Sequence, residues 1–185
     1  MKIIKHKVNS IQKIDQNFGA EIDIRDYDGD LVLSHDFPHQ KSQKLDDFLN
    51  FFPKDKLLAI NVKSSGIEKK LFTSLNSSNI NYFAFDFSIP GLLNALEQKI
   101  VCALRLSEYE KEIFEGPKWI WLDSFNSVWF DAKYIESLKN MNYLISVVSP
   151  ELHQRTDKKE YTKIKSLINC NLIDAICTDI PEMWE

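Results

Sequence analysis

Residues 19–36 read Gly-Ala-Glu-Ile-Asp-Ile-Arg-Asp-Tyr-Asp-Gly-Asp-Leu-Val-Leu-Ser-His-Asp. Through Arg25 the stretch alternates strictly, with Ile22 and Ile24 on one face and Glu21, Asp23 and Arg25 on the other, which is the pattern of a β-strand. Asp28-Gly29 then reads as a two-residue hairpin turn, so Leu31 to His35 return beside the carboxylate strand and bring His35 close to Asp23. A perfectly regular register would turn His35 to the Ile22 face, and the strand must therefore bulge or fray at its end. Asp26-Tyr27-Asp28-Gly29-Asp30 superficially suggests a calcium loop, but its glycine is misplaced and no bidentate Glu follows at the required offset.

Outward from this hairpin, short apolar runs recur at fairly even spacing: 2–7, 20–26 with 30–35 returning, 57–63, 82–87, 100–106, 119–125, 143–149 and 174–179. Helical periodicity fills the gaps near 9–18, 42–51, 66–76, 90–97, 108–115, 131–140 and 157–169. Ser88 with Pro90, Ser107 before Glu108, and Asp131 before Ala132 are helix-start signals. Strands alternating with helices of about ten residues indicate βαβ units and a parallel sheet. Counting 20–35 once gives eight units, hence a small eight-stranded β/α (TIM) barrel in one domain spanning 1–185. The rival is a doubly wound open sheet, whose Gly-rich loop after the first strand is missing. With 185 residues the chain falls below the ~200 at the low end for barrels, so its helices and loops must be minimal.

Composition narrows the function. The chain is 44% hydrophobic and 12% aromatic, enough for a substantial core. Its 23 basic and 27 acidic side chains, net −4, argue against non-specific nucleic-acid binding. Cys102, Cys170 and Cys177 show no Cys-x-x-Cys spacing and are expected to be buried thiols. No stretch approaches the ~18 apolar residues of a membrane span, and the charged N-terminus lacks a signal-peptide core. The expectation is a cytoplasmic protein without stable membrane insertion; its oligomeric state stays open.

Two carboxylates on one face of a buried strand repel each other unless a cation neutralises them, and hard divalent ions take oxygen ligands. A solvated edge strand with Arg25 as the partner is the alternative. His6 closes the first apolar strand, at the end where a barrel keeps its active face, and Asn61 and Lys63 close strand 57–63. Asp86, Arg105, Asp123 and Asp179 also end their strands, whereas His39 and His153 fall in polar loops and read as surface residues. Phe85, Phe87, Trp121, Phe125, Trp129 and Trp184 lie near strand ends, where some could line a pocket and most serve packing.

Gly-Ala-Glu-Ile-Asp-Ile (19–24), Asp28-Gly29 and Val-Leu-Ser-His-Asp (32–36) together resemble the signature of glycerophosphodiester phosphodiesterases, within the PLC-like phosphodiesterase superfamily. Ile60-Asn61-Val62-Lys63 is similar to that family's Glu-x-Lys strand, and residues 173–181 to its closing strand. His6-Lys7-Val8-Asn9 is closer to the sphingomyelinase D branch. The resemblance implies a β/α barrel, one Mg²⁺ or Ca²⁺ ion and a small-molecule phosphodiester substrate. Carried over by position, it makes Glu21, Asp23 and Asn61 the metal ligands and His6 and His35 the acid and base. Lys7, Lys63 and Arg105 become phosphate contacts. Three positions depart from the pattern: the Pro-Glu-Asn-Thr run after His6 is missing, Lys7 replaces the usual Arg, and Asn61 replaces an acidic ligand. A neutral amide supplies no charge, which lowers the expected metal affinity. A lyase forming a cyclic phosphate and a non-catalytic phosphate-ligand-binding barrel are the alternatives.

Overall fold

Each strand sorts its side chains by parity. In β5 (Leu57–Val62), Leu58, Ile60 and Val62 join a cluster of 38 buried residues packed under the helices, while Leu57 and Ala59 join a separate cluster of 11. Burial on both faces explains why the central strands read as continuous apolar runs rather than half-polar ones. The computed structural model describes all residues 1–185, as ten strands in one sheet and five α-helices.

Eight strands run parallel. They are β1 (Lys2–Lys5), β2 (Gly19–Tyr27), β5, β6 (Asn81–Phe85), β7 (Ala103–Leu106), β8 (Trp119–Leu122), β9 (Leu144–Val148) and β10 (Ala175–Thr178). Their order across the sheet is β7-β8-β9-β10-β1-β2-β5-β6. The hairpin strand β3 (Asp30–Leu33) and the short β4 (Gln43–Lys44) extend antiparallel from β2. The two ends of the parallel set meet at one bridge, Ala84 to Cys102, where Ala84 N–H donates to Val101 O at 2.9 Å. The eight strands expected from the sequence are therefore present, whereas the expected closed barrel carries one bridge, not a full ladder, at this junction.

Five helices cover the outer face: α1 (Leu45–Phe51), α2 (Glu68–Ser78), α3 (Ile89–Glu97), α4 (Ala132–Asn140) and α5 (Lys158–Asn169). Ser88 and Asp131 cap as expected, their side-chain oxygens accepting from Gly91 N–H and Tyr134 N–H. Two expected helices do not form. Near 9–18 only a 3₁₀ turn at Ile11–Lys13 appears, because Asn9 is drawn back into two hydrogen bonds with Asp23. After Ser107, Glu108 reaches across to accept from the backbone N–H groups of Phe125, Asn126 and Ser127, so 108–115 serves as a strap between loops. Cys102 and Cys177 are buried, but Cys170, at the C-terminal cap of α5, is exposed, contrary to expectation. No helix is long and apolar enough to cross a membrane.

Candidate active site

At the C-terminal ends of the parallel strands the inner row turns from apolar to polar within one or two residues. Ile4 gives way to His6, Ala59 to Asn61, Ala103 to Arg105, Trp121 to Asp123 and Cys177 to Asp179. A core has no use for polar groups there, and all of these except Asp179 line one cavity of about 300 Å³ together with Lys7, Glu21, Asp23, His35, Lys63 and His153. A larger cavity of about 560 Å³ opens at the opposite strand ends, but its carboxylate, Asp174, is already taken by Lys139 and the Ile145 N–H.

Parallel pairing of β2 with β5 sets Asp23 beside Asn61 and Glu21 beside Ala59. Glu21 and Asp23 are only 2% and 1% exposed. Burial, reinforced by the Asp23 charge, pushes the Glu21 carboxyl up to about 8, although the Lys7 N–H donates to its Oε2 at 2.9 Å. Asp23 is better served: Asn9 Nδ2 donates to it at 2.8 Å and Lys63 Nζ stands 3.5 Å away. Asn61 Oδ1 is buried with no hydrogen-bond partner. No cluster of three or more His, Cys, Asp or Glu is arranged to hold a metal ion. The oxygen set here is two carboxylates and one amide, and an acid short of positive charge beside an orphaned oxygen fits a hard cation.

His6 Nδ1 lies 3.1 Å from Asp179 Oδ1, leaving Nε2 without a partner in the chain. Burial lowers the His6 pKa below its ordinary value, and Asp179 only partly opposes this. On the hairpin, β3 stops at Leu33 and Ser34 N–H still donates to Asp23 O at 2.9 Å. The chain then leaves the ladder, so His35 escapes the regular register by fraying and reaches the cavity. Arg25, expected beside the carboxylates, instead donates from Nη2 to His35 O at 3.0 Å and from Nη1 to Lys63 O at 3.3 Å, and so ties both segments down.

On the far side Arg105 makes a forked pair with Asp86 (2.7 and 2.5 Å) and donates from Nη1 to Asp123 Oδ2 at 2.6 Å. His153, expected on the surface, faces this cavity with Nε2 2.7 Å from Asp123 Oδ1. Its sequence signal was weak, because it ends a short 3₁₀ turn after β9 (Pro150–His153) that reads as polar loop and pairs with a residue thirty positions away. His39 stays outside, in the loop before β4, where its Nδ1 accepts from Lys41 N–H. Phe85, Trp121 and Phe125 line the cavity; the remaining aromatics named above do not.

No family model matches the sequence, and no curated protein matches it. Among solved structures, a glycerophosphodiester phosphodiesterase from Parabacteroides distasonis aligns over 98% of this chain and 93% of its own, with a TM-score of 0.59 and 17% sequence identity. At that identity the likeness is one of architecture: this chain shares its fold with a glycerophosphodiester phosphodiesterase.

Proposed function

We propose that the cavity is a phosphodiesterase site, acting on a glycerophosphodiester or a related small phosphodiester, in a barrel that closes at the Ala84–Cys102 bridge. The observation that carries this reading is the convergence of His6 and His35 with Glu21, Asp23, Asn61, Lys7 and Lys63 on one small cavity. The shared fold with a glycerophosphodiester phosphodiesterase supports it.

Glu21, Asp23 and Asn61 are the residues that would hold one Mg²⁺ or Ca²⁺ ion. Bound there, such an ion supplies positive charge where negative charge develops on the phosphate oxygens in the transition state. Lys63 and Lys7 add point charges for the same oxygens. His6, kept neutral by burial, takes the proton from the attacking hydroxyl, whether of water or of a neighbouring group on the substrate. His35 returns a proton to the departing alkoxide. Asp179 orients His6, and Arg25 fixes the segment that carries His35. With its charge spent on Asp86 and Asp123, Arg105 is poorly placed to serve as a phosphate contact.

Alcohol release from glycerophosphodiesters tests the reading. Turnover is expected with Mg²⁺ or Ca²⁺ and its loss on chelation; a folded protein inert with both ions would contradict it. A second reading, a non-catalytic barrel that binds a phosphate-bearing ligand, is favoured by the neutral Asn61 at the third ligand position. It requires phosphodiester binding without turnover at millimolar metal.

A further inference from the structure

The N-terminal ends of the parallel strands frame the second cavity, about 560 Å³, and its polar groups are almost all donors. Its one carboxylate, Asp174, has its charge offset by Lys139 at 2.7 Å. Lys2, at the start of β1, and Lys118, just before β8, make no ion pair and no side-chain hydrogen bond, and the carboxamides of Asn81 and Asn171 are equally free. Uncompensated positive charge therefore collects at this mouth of a chain whose net charge is −4. Polar groups at this end of a β/α barrel ordinarily serve stability, but these four side chains tie nothing together.

Trp119 supplies the most constrained donor. On the inner row of β8 it is 6% exposed and stacks on Phe83, centroids 4.8 Å apart. A buried indole N–H usually finds an acceptor, and Trp129 Nε1 does so at Asp123 O. Trp119 Nε1 has no acceptor in the chain. Unlike Trp184 Nε1, which is sealed inside the protein, it stays open to the cavity that its ring lines. Beside it Ile80, Val101, Leu144 and Ile173 present apolar surface.

Donors without acceptors call for an anion, and the apolar lining calls for one with a hydrophobic body. We propose that this cavity binds a small organic carboxylate, an aromatic or short branched acid. One carboxylate oxygen accepts from Trp119 Nε1, Lys2 and Lys118 answer the charge, and the body lies against the aliphatic lining. Inorganic phosphate would meet the donors but leave that lining wet. The volume suits such a ligand, since small-molecule sites span about 300–1,000 Å³. The site stands independently of the phosphodiesterase reading, because the inner cluster separates it from the catalytic cavity.

Titration of the ¹⁵N-labelled chain, followed at its indole N–H resonances, tests the proposal without an activity assay. Trp119→Phe keeps an aromatic ring against Phe83 and identifies the Trp119 signal; should that variant fail to fold, contacts to Phe83 protons identify it in the wild type. The probes are 2-naphthoate, its neutral analogue 2-naphthamide, and inorganic phosphate. 2-Naphthoate is expected to move the Trp119 signal saturably, with a Kd below about 1 mM. The amide should bind about tenfold or more weakly, phosphate should not saturate the shift, and Lys118→Met, at an exposed position, should weaken 2-naphthoate about threefold. A Trp119 signal that stays still, equal affinity for acid and amide, saturation by phosphate, or a shift confined to Trp121 in the catalytic cavity would overturn the site. None of these outcomes bears on phosphodiester cleavage.

Discussion

Glu21 and Asp23 lie two residues apart on one strand face, both out of water, and the consequence is a carboxyl group that holds its proton up to about 8. Because that value lies above the ordinary one of 4.5, the folded chain binds the proton more tightly than the unfolded chain. The associated stability is complete below the ordinary value and is lost as pH rises through about 8. Metal-free protein is therefore expected to melt at progressively lower temperature from mildly acidic to mildly alkaline pH, and Glu21→Gln to flatten that dependence. Added Ca²⁺ should raise the melting temperature more at the alkaline end, where both acids are charged. A melting temperature indifferent to pH in the wild type would contradict this account of Glu21. His6 is shifted in the opposite sense: in its proposed role as the base, and with its pKa lowered by burial, it should make kcat/KM fall on acidification only below its ordinary value of 6.5. Replacing Asp179 with Asn is expected to move that limb to still lower pH, because the carboxylate is what raises the His6 pKa against burial.

At the scale of elements, the hairpin after β2 delivers one histidine and the parallel partner β5 delivers the neighbouring amide, so register decides the site. Gly19 starts β2 where a side chain has no room: a Cβ there would lie 2.4 Å from Leu57 O and 3.3 Å from Ile3 O. Gly19→Ala should push β1 and β5 off β2 at a cost of about 1–3 kcal/mol, read from denaturant unfolding. Arg25→Met, in contrast, removes only the ties to His35 O and Lys63 O. It is expected to cut turnover by roughly tenfold to a hundredfold through misplacement while leaving the melting temperature nearly unchanged. The hairpin itself was legible because Asp28-Gly29 separates two alternating runs and both residues take positive φ, 47° and 81°. The frayed end at Ser34 was legible as a requirement of parity. Glu108 as a strap and Asn9 as a bridge to Asp23 were not, since local periodicity says nothing of side chains recruited by distant backbone. The His153–Asp123 pair was hidden for the same reason.

For the whole molecule, strand number and order followed from the alternation of apolar runs with helices, whereas the junction between β6 and β7 did not, because one bridge leaves no pattern in sequence. The inner cluster ties β6 to β8 across this junction through the Phe85–Trp121 and Phe83–Trp119 stacks, the latter with centroids 4.8 Å apart. Trp121→Ala is expected to cost about 3–5 kcal/mol in denaturant unfolding and to speed hydrogen exchange at the Ala84 amide, which makes the junction bond to Val101. Above that cluster stands the cavity on which the functional account depends. Its central claim is that His6 and His35 exchange protons around one phosphodiester, and ³¹P NMR of glycerophosphoglycerol incubated with protein and Mg²⁺ or Ca²⁺ tests it most directly. The diester resonance should give way to a phosphomonoester or cyclic phosphate with the wild type, and persist with His6→Ala and with His35→Ala, each slowed by about a hundredfold or more while still folded. A diester left unchanged by the wild type, or consumed equally fast by either variant, would contradict the account.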